Sequence, residues 1–238
     1  MRYALYRWSW AALDWLFPPT CGGCDMPGER WCQDCQEIAA RIEPPLCECC
    51  GQTTSGDTLC ARCVDSPPKM TAIRSWAIFD GPVREALHRV KYQRDVALAE
   101  VLTRPLVEYV GSLDWHLDIV APVPLSRDRQ KERGYNQAAL LAKPLALGLG
   151  LRYCNHALAR RRDTRSQVGL NLDQRRQNVE GAFQASRSLV AGKAVLVVDD
   201  VATSGSTLDA SAEALWHAGA ENVYGMTLAR AVLVSNKP

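Results

Sequence analysis

The run Ala194-Val195-Leu196-Val197-Val198 is apolar at every position and stops at two acids, Asp199 and Asp200. An unbroken apolar run of this length predicts a strand buried on both faces. Ile73 to Phe79, Leu117 to Val123 and Val223 to Leu228 predict three more strands, the first stopped by Asp80-Gly81-Pro82. Between these segments apolar residues return every three or four positions, which predicts helices. Val83 to about Tyr92 follows Pro82, a residue suited to a first helical position. Val96 to Val110 carries a second helical pattern. Gln137 to Leu147 is helical on the spacing of Leu140, Leu141 and Leu145, with Pro144 expected to disturb it. Leu208 to Ala218 closes on Gly219. Strands that alternate with helices define an α/β fold, a parallel sheet with helices on both sides.

Residues 18–68 break this pattern. They are rich in Cys, Gly, Pro and polar residues and lack long apolar runs, so a hydrophobic core cannot organise them. Cys21-x-x-Cys24, Cys32-x-x-Cys35, Cys47-x-x-Cys50 and Cys60-x-x-Cys63 are four knuckles within 43 residues, with Cys49 and Cys154 left over from the ten cysteines. Tetrahedral zinc takes four thiolates, commonly as two such pairs. Two structural Zn²⁺ sites follow, Cys21, Cys24, Cys32 and Cys35 for one and Cys47, Cys50, Cys60 and Cys63 for the other; the spacing is also compatible with an interleaved pairing. Asp34 to Arg41 reads as one or two helical turns, and Ser66-Pro67-Pro68 as a boundary.

Residues 1–17 carry Arg2, Arg7, Trp8, Trp10 and Trp15. Asp14 interrupts the apolar stretch and no small-residue cleavage site follows, so it reads as an amphipathic helix packed on the protein rather than an export signal. Contact with a membrane surface through the tryptophans is the rival reading. No run of eighteen apolar residues is present, so no membrane span is expected and a cytoplasmic location follows. The formal net charge is +2, and eight thiolates against two zinc dications lower it by four, to −2. Global charge therefore argues for no nucleic-acid footprint, and only local patches matter.

The acids after the apolar run have a chemical reading. Ligands of open α/β sheets bind at the carboxyl ends of strands, where Asp199 and Asp200 fall. Val201 is followed by Ala202, Thr203, Ser204, Gly205, Ser206 and Thr207, directly before a helix. Small residues let backbone approach an anion, and a helix start presents unpaired amides to it. The loop suits a phosphate, and the two acids suit the hydroxyls of a sugar beside it.

This segment resembles the phosphoribosyl-pyrophosphate signature of type I phosphoribosyltransferases. Asp80-Gly81-Pro82-Val83, His88-Arg89-Val90-Lys91-Tyr92, Val123-Pro124, Arg133-Gly134-Tyr135-Asn136-Gln137 and Asn178-Val179-Glu180-Gly181-Ala182-Phe183 resemble the narrower ComF family, which also begins with cysteine knuckles. The resemblance covers nearly the whole chain. It implies a type I phosphoribosyltransferase fold at 71–238, preceded by a double zinc ribbon at 18–68. It implies binding of 5-phosphoribosyl-1-pyrophosphate (PRPP) with Mg²⁺ and a link to competence and DNA uptake, with the acceptor open. Asp199 and Asp200 would hold the ribose hydroxyls, and residues 202–207 the 5-phosphate. Pro124, Leu125 and Ser126 would form the pyrophosphate loop. Lys91 and Arg133 would face pyrophosphate, helped by Arg127, Arg129 and Lys131. Tyr135 and Asn136 either serve the ligand or only pack and cap a helix.

Residues 125–180 hold twelve Lys/Arg against five Asp/Glu, densest at Arg160, Arg161, Arg162 and Arg165. Two readings stay open: a loop that closes over the anionic ligand, or a groove for single-stranded DNA. The second makes the chain a non-catalytic factor of natural transformation, with DNA and DNA-processing proteins as partners.

Overall fold

A computed structural model describes residues 18–162 and 172–231. The expected N-terminal helix and Arg165 lie outside the described residues. The chain runs α1 (Gln33–Ile38), α2 (Ala61–Asp65), β1 (Ala72–Ile78), α3 (Gly81–Tyr92), α4 (Val96–Gly111) and β2 (Ile119–Pro122). It continues with α5 (Arg127–Arg133), α6 (Gln137–Leu149), β3 (Arg152–Tyr153), β4 (Leu158–Arg160), α7 (Leu172–Val179), β5 (Phe183–Ala185) and α8 (Arg187–Val190). β6 (Ala194–Ala202), α9 (Ser206–His217) and β7 (Asn222–Arg230) complete it.

Five strands form one parallel sheet in the order β1-β7-β6-β2-β3, and β4 pairs antiparallel with β5 outside it. The apolar run lies at the centre, as its lack of polar positions requires. Its side chains alternate between two cores. Leu196 and Val198 join Leu102 and Leu106 of α4 and Leu141 and Leu145 of α6. Val195 and Val197 join Leu208, Ala212 and Leu215 of α9. Each of these leucines is fully buried and contributes about 2 kcal/mol by removal from water.

Pro144 does not interrupt its helix: α6 continues to Leu149, and α4 likewise contains Pro105. Both prolines lie within helices that pack on each other, and that packing outweighs the local cost of a missing amide. The approach is close enough that a Cβ on Gly148 would lie 2.6 Å from Val107 Cγ2.

The zinc-ribbon segment adheres to the sheet edge. Ile78 N donates to Ala40 O (2.7 Å), Ile42 N to Trp76 O (3.2 Å) and Ile73 N to Cys49 O (2.7 Å). Edge strand β1 is thereby covered, which removes an exposed pairing surface. Trp31, Cys35 and Ala39 enter the same core as Trp76 and Val83.

The topology also sets where a ligand can bind. The chain leaves β2 toward β3 on one side and leaves β6 toward β7 on the other. β2 and β6 are neighbours, with Pro122 opposite Val198. Their carboxyl ends therefore diverge and open a crevice at a topological switch point.

Candidate functional site

A cavity of about 530 Å³ occupies that crevice. β6 delivers Asp199, Asp200, Val201 and Ala202 to its floor. Thr203, Gly205, Ser206 and Thr207 form one wall at the start of α9. Gly205 has φ +81°, a left-handed conformation that glycine adopts without strain, and as the N-cap residue it offers the helix no side-chain acceptor. Ser206 N donates to Ser204 Oγ at 3.4 Å, and the positive end of α9 faces the cavity, where it suits an anion. Ser204 does not line the cavity. Its Oγ lies 2.8 Å from Ser206 Oγ, and its carbonyl accepts from Arg62 Nη1 at 3.3 Å.

Asp200 and Lys91 form a largely buried ion pair at the cavity floor. Lys91 Nζ lies 2.5 Å from Asp200 Oδ2, with the side chains 19% and 8% exposed. Burial pushes the Asp200 carboxyl up, but the Lys91 charge and hydrogen bond, with those from Asp199 and the Val201 amide, bring it below the ordinary carboxylate range. Burial and then the Asp200 charge hold Asp199 well above that range. The two acids therefore differ in character, one held as an anion by lysine and one reluctant to ionise.

The opposite wall is basic. Pro124 and Leu125 follow β2 and line the cavity, whereas Ser126 is buried as the cap of α5, accepting from Arg129 N at 3.4 Å. α5 sorts its cations by helical spacing. Arg129 and Arg133, four apart, face the cavity, while Arg127 and Lys131, also four apart, are exposed elsewhere. Arg133 stacks its guanidinium 5.2 Å from the Tyr92 ring centre. Its Nε and Nη1 are buried with no hydrogen-bond partner among the described residues. Such donors are costly unless a ligand satisfies them.

Tyr135 and Asn136 pack and cap. Tyr135 OH donates to Val90 O; Asn136 Oδ1 accepts from Ala138 N at 3.0 Å, and its Nδ2 donates to Val123 O at 2.9 Å. The basic run divides. Arg160 lines the cavity, over the Phe183 ring at 5.3 Å, with Nη1 donating to Pro124 O at 3.5 Å. Arg161 donates to Gln184, and Arg162 to the carbonyls of Asn178 (3.3 Å) and Glu180 (2.8 Å), so both tie the β4–β5 region together. Phe79, Tyr92, Glu132 and Gln137 also line the cavity and were not singled out from sequence. Tyr92, 59% exposed in the structure, carried one signal in the sequence, its place beside Lys91 in the family-like run His88 to Tyr92.

The cysteines fall into two sets taken in chain order, not interleaved. Cys21, Cys24, Cys32 and Cys35 bring their sulfurs within 4.8 Å of one another, as do Cys47, Cys50, Cys60 and Cys63. A tetrahedron with Zn–S near 2.3 Å requires S···S of about 3.8 Å. Cys24–Cys32 and Cys50–Cys60 are each 3.7 Å apart. Burial raises the Cys21 thiol, yet the amides of Cys32, Gly23 and Cys24 outweigh it and lower it to about 7. The amides of Cys50, Cys60 and Cys49 likewise overcome burial and lower Cys47 to about 6. In the same sets burial and the neighbouring sulfurs push the Cys35 and Cys63 thiols up, so four crowded sulfurs cannot all ionise without a cation among them, and the donors fit two structural zinc ions.

Comparison with known proteins agrees with this construction. Residues 12–64 match the double zinc ribbon domain, and residues 133–237 the phosphoribosyl transferase domain. The fold and site thus define a phosphoribosyltransferase-type domain behind a double zinc ribbon. Strands β1 and β2 precede the second match but belong to the same sheet. The chain is 33% identical over 223 residues to the DNA utilization protein YhgH of Escherichia coli O6:H1, covering 90% of this chain and 97% of that one. It is 31% identical over 210 residues to competence protein F of Haemophilus influenzae (84% and 90% covered) and 27% over 213 residues to competence protein ComFC of Bacillus subtilis (86% and 85%). The chain belongs to the ComF family. Among the described residues no helix is long and apolar enough to cross a membrane.

Proposed function

We propose that the cavity binds PRPP and that the chain transfers its phosphoribosyl group to an acceptor. One observation carries this reading: the cavity has two walls suited to two separate phosphate groups, with two acids between them. The start of α9 and the loop before it, 203–207, would receive the 5-phosphate. Asp199 and Asp200 would accept hydrogen bonds from the ribose hydroxyls. Lys91, Arg129 and Arg133 would face the pyrophosphate, giving the buried nitrogens of Arg133 their partners.

Among the described residues no cluster of three carboxylate or histidine ligands lies in the cavity. The two aspartates are hard oxygen donors of the kind that hold Mg²⁺ together with substrate phosphates. Asp199 and Asp200 would hold it, and the ion would neutralise the leaving group. The chain itself would position the sugar and exclude water around C1 as the bond to pyrophosphate breaks. Calorimetric titration with PRPP and Mg²⁺ tests binding, and release of pyrophosphate in the presence of candidate nucleobases tests transfer.

A second reading, a single-stranded-DNA-binding factor of natural transformation without transferase activity, rests on the names of the relatives and on the basic residues of 160–162. It is supported less, because Arg160 turns into the cavity while Arg161 and Arg162 are engaged with the β4–β5 region. Salt-dependent binding of a single strand, lost on neutralising all three arginines, would favour it.

A further inference from the structure

We infer a second phosphate site at the seam between the second zinc knuckle set and the sheet, separate from the cleft. A cavity of about 190 Å³ lies there, lined by Arg41, Arg62, Arg230, Gln52, Thr53 and Thr203 among others. Three arginines line it, with the Arg41 guanidinium 5.8 Å from the Trp76 ring centre, and no carboxylate does. Arg230 is the decisive member. It is 8% exposed, and Nη2 donates to Cys50 O while Nε is buried with no partner among the described residues. A buried guanidinium nitrogen without an acceptor is costly, and an anion in the cavity removes that cost.

The zinc site offers one alternative account of these charges. Four thiolates and one Zn²⁺ carry a net charge of about −2, which two arginines would balance. Arg41 is then a third cation, at the exposed mouth beside Gln52 and Thr53. The hydroxyl of Thr53 and the amide of Gln52 complete a donor set typical of phosphate. The volume falls below the roughly 300 Å³ at which ligand pockets begin. It therefore fits the terminal phosphate of a larger molecule whose remainder stays in solvent.

The seam also touches the cleft. Thr203 lines both cavities, and Arg62 holds the Ser204 carbonyl in the loop that forms the cleft wall. A phosphate monoester held in the seam would steady that loop. A free nucleotide and the 5′ end of a DNA strand present the same phosphate chemistry.

The test is calorimetric titration of the zinc-loaded full chain with inorganic phosphate, for the wild type and for Arg41→Ala and Arg62→Ala. The inference requires a phosphate site that weakens by about tenfold or more in each variant, the loss of one charge-assisted hydrogen bond. If the cleft also takes phosphate, the wild type shows two sites and Arg41→Ala weakens only one of them, whereas Arg62→Ala, which also frees the Ser204 carbonyl, weakens both. If the cleft takes none, a single responsive site remains, so failure of the PRPP reading leaves this result intact. Displacement by a nucleoside monophosphate or by a 5′-phosphorylated oligodeoxynucleotide, but not by its unphosphorylated form, identifies the carrier. No displacement by either carrier overturns the inference. So does unchanged phosphate binding in both variants with reduced zinc retention, which would make the arginines counter-charges of the thiolates.

Discussion

Lys91 Nζ meets Asp200 Oδ2 at 2.5 Å, and through that pair the last turn of α3 closes on the carboxyl end of β6. The sequence places Lys91 on the helix and the family resemblance implies that it faces pyrophosphate, but its pairing with Asp200 is legible in neither. Its position means that a cation from the N-terminal half of the chain holds one of the two acids ionised while the other stays reluctant.

Removing Lys91 leaves Asp200 buried without its counter-charge. Lys91→Met should therefore lower the unfolding free energy by about 3 kcal/mol at neutral pH, read by urea denaturation. Asp200 has a depressed pKa in the folded state. The stabilisation it contributes is present above the unfolded value and is lost as pH falls through the folded one. The deficit of Lys91→Met should accordingly shrink in acid. Adding Asp200→Asn should recover most of it at neutral pH. A double variant as unstable as the single one would show that the pair is not the cause.

Asp199 has the opposite sign. Its folded pKa is raised by burial and by Asp200, so its ionised form costs stability above that pKa, and the cost disappears as pH falls to the unfolded value. Asp199→Asn should raise stability by about 1 kcal/mol at neutral pH. The difference from wild type should vanish below about pH 4. Thermal unfolding at the two pH values checks this, and a variant less stable than wild type at neutral pH would refute it.

Arg133 has buried donors without partners, so the folded chain gains little from its charge. Arg133→Met should raise stability by about 1 kcal/mol, because relief of the unpaired donors outweighs the lost contact with Tyr92. It should weaken PRPP binding by about tenfold or more. Equal loss of stability and of binding would mean that Arg133 is a structural residue.

Zinc analysis of chain purified without chelator should give about two ions per chain, and Cys60→Ser should reduce that to about one. The second knuckle set holds the seam through Cys50 O on Arg230, and α2 reaches the phosphate loop through Arg62 on Ser204 O. Loss of that ion should therefore also weaken PRPP binding. Cys24→Ser, in the first set, should disturb α3 through Arg89, whose Nη1 donates to Cys21 O at 3.0 Å. Two zinc ions retained in Cys60→Ser would contradict the ligand set.

The parts legible in the sequence were those with a strong period or a strong chemistry. The apolar run 194–198 reads as a central strand, and the four knuckles announce two four-cysteine sites, although their spacing left an interleaved pairing open. α5 escaped notice because it buries no residue, so Arg127 to Arg133 shows no apolar periodicity. The β4–β5 pair escaped because three residues per strand are too short to show alternation. Pro144 misled because local propensity knows nothing of the packed helix α4. Arg160 and Arg161 look alike in sequence, yet Arg160, the last residue of β4, turns into the cavity while Arg161, just beyond the strand, reaches Gln184. That Arg41, Arg62 and Arg230 line one cavity depends on contacts between segments far apart in the chain, which no local pattern encodes.

The most direct measurement is calorimetric titration of the zinc-loaded chain with PRPP and Mg²⁺, beside the Asp199→Asn, Asp200→Asn double variant. Saturable binding by the wild type, and none by a double variant that keeps its fold and both zinc ions, is the predicted result. No binding by the wild type, or equal binding by the variant, would contradict the assignment of the β6–α9 crevice as the phosphoribosyl site.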